Sequence, residues 1–145
     1  MEMMGVSVKE CAGSGLFVGS GASVKTTQCE FSENGWNAVF MAGGAKGIFT
    51  DCIFHHNGNY GVGADSEGTL VELRGEQTEI HQNEGSGLSA WSNATINIYI
   101  PSQSITALVH DNRDDDDLDT NYGGKIKSQL SSSSWKLNNI PNILF

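Results

Sequence analysis

The sequence predicts an all-β chain that folds as a parallel β-helix, a solenoid in which short strands stack coil upon coil. A six-residue motif recurs along the chain, and its copies close at residues that lie 23, 23, 26 and 29 positions apart. Repeats of this length are typical of solenoids, because no single repeat can bury a core. Glycine accounts for 18 of 145 residues, which favours turns and short strands over a helical bundle. The copies predict about five coils and are VSVKEC, CEFSEN, CIFHHN, TEIHQN and ALVHDN, closing at Cys11, Asn34, Asn57, Asn83 and Asn112.

The first strand of each coil comes just before the closing residue. The aligned strands are residues 6–8, 29–31, 52–54, 78–80 and 107–109. Their first and third positions are mostly small or apolar, and strand side chains alternate between two faces, so these positions should face the core. Cys29 and Cys52 share one inward position and are predicted to be stacked, buried thiols. A disulfide between them is geometrically possible but not implied.

The closing asparagines predict a tight corner after the first strand. Asparagine tolerates the left-handed conformation and can hydrogen-bond neighbouring backbone, so stacked coils should align these side chains in a column along the axis. The second strand follows at residues 16–18, 39–41, 62–64 and 88–90, again apolar at its first and third places. The third strand is assigned to residues 24–26, 47–49, 70–73 and 95–100.

The repeat resembles that of the right-handed parallel β-helices of the pectate-lyase-like superfamily. In those proteins each coil has the pattern apolar-x-apolar-x-x-Asn, followed by a small corner and another apolar strand. The resemblance covers about residues 6–112. It implies a single-stranded, right-handed β-helix, a fold that sugar lyases, polysaccharide hydrolases, epimerases, phage fibres and non-catalytic repeats share. The chain lacks the Arg-x-x-Arg-x-Pro element expected of pectate lyases, the motif series of polygalacturonases and the Tyr-Gly-Phe-Asp-Pro-His of alginate epimerases.

The C-terminal residues depart from the repeat. Residues 125–130 are predicted to form a strand of a last partial coil, so the β-helix is assigned to residues 1–130. Residues 131–145 contain Trp135, Leu137 and Ile140 and are predicted to pack over the end of the solenoid. Solenoids need such caps to protect the apolar core and the unpaired strand edge.

Charge and hydropathy limit the classes of partner that are expected for this chain. The formal net charge is −9, and the segment from Asp111 to Asp119 holds six Asp against one Arg. A duplex nucleic acid is therefore a disfavoured partner. No segment approaches the ~20 apolar residues of a membrane span, so a soluble chain is expected. An extracellular or surface-associated location is expected if the chain is part of a longer secreted protein.

Three histidines occupy one position of the repeat. His55, His81 and His110 each follow an inward residue and should point outward. Stacked coils would place their rings roughly 5 Å apart, close enough to share a transition metal or to act in general acid–base catalysis near neutral pH. Glu30 and Glu79 should project from the same strand face and could supply carboxylate partners. The alternative is that the repeat has copied a polar surface residue with no chemistry attached.

Two further groups are candidates for ligand binding. Calcium prefers hard oxygen ligands, which an acidic cluster in the C-terminal half supplies, although it lacks the EF-hand pattern and reads equally as a solvated loop. This cluster consists of Asp114, Asp115, Asp116, Asp117 and Asp119. Trp36, Tyr60 and Trp91 fall at corners or strand ends, where exposed rings can stack on sugars or simply pack.

Three functional hypotheses follow. The first is a non-catalytic β-helix module that presents a ridged face to a polysaccharide or another protein. The second is a small carbohydrate-active enzyme that uses His55, His81 and His110, with calcium at the acidic cluster. The third is a structural repeat that self-associates through a thinly protected N-terminal coil, giving a homo-oligomer by edge pairing.

Overall fold

Each coil of the chain contributes one strand to each of three parallel sheets, as the repeat predicted. The structure is a computed structural model, and it describes residues 1–100, 104–113, 117–128 and 143–144. Every strand pairs in parallel with the equivalent strand of the next coil. The three sheets therefore run along the solenoid axis with strands crossing it.

The sheets are named here by their place in the coil. Sheet A, with the longest strands, contains Glu2–Met4 (β1), Ser23–Thr27 (β4), Lys46–Thr50 (β7), Leu70–Arg74 (β10), Thr95–Tyr99 (β13), Lys125–Ser128 (β16) and Ile143–Leu144 (β17). Sheet B, before the asparagine corner, contains Ser7–Lys9 (β2), Glu30–Ser32 (β5), Ile53–His55 (β8), Glu79–His81 (β11) and Val109–His110 (β14). Sheet C, after that corner, contains Leu16–Val18 (β3), Val39–Met41 (β6), Val62–Ala64 (β9), Leu88–Trp91 (β12) and Leu118–Asn121 (β15).

The core is built from the inward positions that alternation predicted. Phe31, Phe49 and Phe54 are fully buried. The rings of Phe31 and Phe54 stack with centroids 5.4 Å apart, and Phe49 meets Phe54 edge-on at 5.7 Å. Burying such a side chain stabilises the fold by roughly 1.5–3 kcal/mol, so each added coil extends a continuous apolar column. Cys29 and Cys52 are also buried, and both are free thiols.

The corner between sheets B and C is held by the predicted column of asparagines. Asn34 Nδ2 donates to Asn57 Oδ1, Asn57 Nδ2 to Asn83 Oδ1, and Asn83 Nδ2 to Asn112 Oδ1, each at 2.9 Å. Asn112 Nδ2 then donates to Asp117 Oδ1, also at 2.9 Å. The left-handed residue of each corner is the one before the closing cysteine or asparagine, with φ of 54–57° at Glu10, Glu33, His56, Gln82 and Asp111. The asparagine itself therefore links coils rather than making the turn.

The structure corrects several predicted details. Residues 107 and 108 belong to a short helix, Ile105–Leu108 (α1), and not to a strand, because Ser104 caps that helix by accepting a hydrogen bond from the Ala107 amide. Strands β1 and β15 were not predicted, and β15 begins at the end of the acidic segment. Sheets B and C each have five rungs, which corresponds to about four full turns of chain rather than five. Most of residues 131–145 lie outside the described residues, but β17 pairs with β16.

Candidate functional site

The histidine column lies on the outer face of sheet B. Parallel pairing puts His55, His81 and His110 in register on β8, β11 and β14. Their rings are stacked, with centroids 5.1 Å apart between His55 and His81 and 5.4 Å apart between His81 and His110, each pair within 5° of parallel. This spacing follows from the strand spacing of roughly 4.8 Å, as the sequence predicted. All three rings are partly buried.

Carboxylates from the preceding coils bind the two outer rings. His55 Nε2 lies 2.8 Å from Glu30 Oε1, and His110 Nε2 lies 2.9 Å from Glu79 Oε1. The hydrogen bonds from His55 and then Ser7 lower the pKa of Glu30. Burial acts to lower the pKa of His110, but its hydrogen bonds to Asp111 and Glu79 outweigh that effect and raise it. Each outer imidazole is therefore fixed by an acidic neighbour.

The central imidazole has a different environment. Glu30 and Glu79 occupy the same strand position in different coils, each one coil before the histidine that it binds. In the coil before His81, this position is occupied by Ile53. Within the described residues, His81 Nε2 has no hydrogen-bond partner, while its Nδ1 lies 2.9 Å from Gln82 Oε1. Because an amide oxygen only accepts, Nδ1 carries the proton and Nε2 carries the lone pair. Burial, the largest influence, lowers the pKa of His81 and so favours the neutral ring.

A second candidate surface, the aromatic ridge, is formed by Phe17, Phe40, Tyr60 and Trp91 beside sheet C. The Phe17 and Phe40 rings are stacked at 6.1 Å, and the Tyr60 and Trp91 rings meet edge-on at 5.8 Å. Gly63 joins the two pairs, because a Cβ there would lie 2.8 Å from the Phe40 ring and 3.4 Å from the Tyr60 ring. The ridge therefore runs continuously across four coils.

The predicted sugar-binding residues fall into two groups. Tyr60 and Trp91 are in contact and partly buried, whereas Trp36 is 61% exposed at a B-to-C corner. The Trp91 indole is oriented by its Nε1, which donates to Asp119 Oδ2 at 2.9 Å. Sequence analysis did not assign Phe17 or Phe40 to this surface. Their outward position in the second strand, opposite to the inward apolar places, was the signal that could have identified them.

The described residues of the acidic cluster make different hydrogen bonds. Asp117 Oδ1 accepts from both the backbone and the side-chain nitrogen of Asn112, and Asp119 binds Trp91 and Ser89. Asp114, Asp115 and Asp116 lie outside the described residues. Among the residues that the structure describes, no group of three or more His, Cys, Asp or Glu side chains is arranged to hold a metal ion. A calcium site at the cluster stays a prediction.

Most cations gather on a face that sequence analysis did not single out. Five of the eight Lys and Arg residues project from the outer face of sheet A, where exposed and buried positions alternate. They are Lys25, Lys46, Arg74, Lys125 and Lys127. Arg74 lies over the Tyr99 ring at 5.2 Å and binds Glu72. A surface depression of about 430 Å³, lined in part by Lys25, Lys46 and Glu72, opens on this face. We call it the basic face.

Comparison with known families gives the identity of the fold. The family described as right handed beta helix region matches residues 2–99 of the 145. This chain belongs to the right-handed β-helix family. The coil is therefore right-handed, and the resemblance to the pectate-lyase-like superfamily is consistent with this family. The match assigns no activity, and neither a comparison with curated proteins nor one with solved structures found a match.

Two further predictions concern self-association and membrane insertion. At the N-terminal coil, Met1, Met4 and Val6 are exposed, and self-association through this coil stays a prediction. Within the described part of the chain, no helix is long and apolar enough to cross a membrane.

Proposed function

We propose that this β-helix is a module that binds a neutral polysaccharide on the aromatic ridge. The observation that carries the proposal is the continuity of the ridge across four coils. The rungs of Phe17 and Trp91 are three coil steps apart, which is roughly 14 Å at the strand spacing. A linear polymer lying along the solenoid axis would meet one aromatic ring after another. Such a partner implies a location outside the cell or at its surface.

The exposure and orientation of the rings support a sugar ligand. Phe17 is 64% exposed and Trp36 is 61% exposed, so both can present ring faces to a polymer. Aromatic side chains with a fixed polar end are suited to partners that are apolar on one face and hydroxylated at the edge. Trp91 has that character, because its indole N–H is held by Asp119. The hydrogen bond also fixes the ring before binding, which reduces the entropy cost of association.

The charge around the ridge favours a neutral polymer. Asp119 lies against Trp91, and the whole chain carries a formal net charge of −9. Carboxylates beside the rings would repel a uronate chain, while a neutral polymer would meet no such barrier.

A glycan array that carries neutral and uronate polysaccharides, followed by calorimetry, tests this proposal. Removing an aromatic anchor from an interface commonly costs about 2 kcal/mol or more, so Trp91→Ala should weaken binding about thirtyfold. Tyr99→Ala is the matched control, since it removes an aromatic ring from the outer face of sheet A. Equal affinity of wild type and Trp91→Ala would contradict the proposal. Repeating the array in calcium and in EDTA tests the predicted calcium site at the same time.

The basic face supports a second candidate, the binding of an acidic polysaccharide along sheet A. Five cations on one face of an acidic chain form a local positive field that would attract a polyanion. Glu72 and Glu2 offset part of this field through their pairs with Arg74 and Lys25. Charge reversal at Lys46 and Lys127 should abolish uronate binding, and binding by the wild type should weaken at high salt. If Trp91→Ala abolishes uronate binding and the charge reversals do not, this candidate fails.

A further inference from the structure

We propose that His81 is the general base of an ester-hydrolysing site on the outer face of sheet B. The site is separate from the aromatic ridge and adds an activity to the proposed polysaccharide binding. Its ligand class is a neutral carboxylic ester, such as an acyl group carried on a sugar hydroxyl. The atom that would act is His81 Nε2, which has no hydrogen-bond partner within the described residues.

The geometry singles out His81 from its neighbours. His55 Nε2 and His110 Nε2 are both bound to glutamates, and Ile53 occupies the corresponding place beside His81. The Gln82 oxygen accepts from His81 Nδ1 and so leaves a lone pair on Nε2. The stacked rings on both sides, at 5.1 and 5.4 Å, limit the rotation of the central ring. A neutral, oriented imidazole with a free lone pair is the form that general-base catalysis requires.

The reaction balances with water as the only co-reactant. His81 Nε2 takes a proton from a water molecule as its oxygen attacks the acyl carbon of the ester. The bond between the acyl carbon and the alcohol oxygen then breaks, and the imidazolium returns the proton to the leaving alkoxide. The products are a carboxylic acid and an alcohol, and the imidazole is neutral again. Groups of this kind contribute typically 10²–10⁴-fold to a rate.

The surroundings favour an uncharged substrate. Glu30 and Glu79 flank the column, and Asp111 lies against the far side of His110. These carboxylates disfavour the approach of an anion. A surface depression of about 270 Å³ shares Glu79 with the column and is also lined by Gln77, Thr78 and Ala107. A substrate lying in it would contact Glu79, which is on the same strand as His81, two residues before it.

Hydrolysis of p-nitrophenyl acetate by the full chain tests the proposal. We expect a rate above buffer that rises with pH, with a midpoint below 6.5, because the base must be neutral and burial lowers the pKa of His81. The groups that face this ring are His55, His56, His110, Gln82 and Glu79. His81→Gln should reduce the rate at least about tenfold. Asn97→Ala changes an outward side chain on sheet A, away from the histidine column, and should leave the rate unchanged.

A variant that gives His81 a carboxylate partner distinguishes a catalytic role of this ring from a structural one. Ile53→Glu would supply the missing carboxylate, occupy His81 Nε2 and raise the pKa of that ring. The rate at pH 7 should fall, and the midpoint of the pH profile should move upward, while Ile53→Val should keep the wild-type profile. The proposal is overturned if wild type gives no rate above buffer, if His81→Gln keeps the wild-type rate, or if Asn97→Ala loses as much. Trp91→Ala should hydrolyse normally, so failure of sugar binding is distinguishable from failure of this site.

Discussion

Replacing Asn57 by alanine should remove a large part of the stability of the protein. Its side chain is fully buried and takes part in five hydrogen bonds. It accepts from the backbone and side-chain nitrogens of Asn34, and it donates to the carbonyls of Phe31 and His55 and to Asn83 Oδ1. Alanine provides none of these groups, so the corner between sheets B and C is interrupted midway along the column.

The magnitude follows from what is left unpaired. The Asn34 backbone N–H donates to Asn57 Oδ1, and an orphaned buried donor costs about 1–3 kcal/mol. Two or three further net hydrogen bonds are lost at about 1 kcal/mol each, which gives a total of about 4 kcal/mol. Because a typical domain is stable by about 5–15 kcal/mol, the change should be obvious.

Equilibrium unfolding in urea, followed by far-UV circular dichroism, measures this effect. Asn97→Ala is the matched control, because Asn97 lies on the outer face of β13 and makes no side-chain hydrogen bond within the described residues. The control should change the free energy of unfolding by less than about 0.5 kcal/mol, as surface substitutions usually do. Asn57→Asp should be at least as harmful as alanine, since its oxygens would face three acceptors. A loss below about 1 kcal/mol for Asn57→Ala, or one equal to that of Asn97→Ala, would refute the reasoning.

Four further outcomes are expected. In urea unfolding, Phe54→Ala should cost about 3–5 kcal/mol as a core truncation, whereas Phe17→Ala should cost less than about 1 kcal/mol, and equal costs would contradict the inward assignment. The pKa of His81 in the folded protein lies below 6.5. The contribution of His81 to stability is therefore present above pH 6.5 and is lost as the pH falls. Between pH 7 and pH 5, the His81→Gln variant should accordingly lose less stability than wild type does. The pKa of His110 in the folded protein is raised, so its contribution to stability is present below pH 6.5 and is lost as the pH rises through the folded pKa. The His110→Gln substitution should therefore cost more free energy of unfolding at pH 5 than at pH 8. A pH dependence of the same sign for the two histidine variants would contradict these assignments. Native protein should react with a thiol reagent at Cys11 alone, because the other two thiols are buried, and three equally fast thiols would be inconsistent with the packing.

The histidine column illustrates how far sequence reasoning reaches in this fold. The position of His55, His81 and His110 in the repeat predicted both their common face and their spacing of roughly 5 Å, because backbone hydrogen bonding sets the distance between rungs. The same reasoning placed Glu30 and Glu79 on this face as possible carboxylate partners, but it did not predict that each binds one of the outer rings and that Ile53 leaves the central nitrogen open. Those contacts run diagonally between coils and depend on side-chain conformations.

The coil lengths explain the other differences. The last predicted repeat is 29 residues long rather than 23, and its extra residues allow Ser104 to cap a helix where a strand was predicted. Strand β15 begins at the end of the acidic segment because Leu118 fills the inward place in register with Leu88, a contact between residues far apart in the chain.

The amino-acid sequence by itself determined the stacked architecture, the inward and outward faces of the strands and the column of asparagines. Periodicity and alternation encode these features locally, and every coil repeats the same information. Only the tertiary structure decided which corner residue is left-handed, which histidine lacks a carboxylate and how the two pairs of aromatic rings join over Gly63. It also brought five cations of an acidic chain to one face of sheet A. These features arise from register between coils of unequal length, and side chains that are distant in sequence become neighbours only when the coils stack.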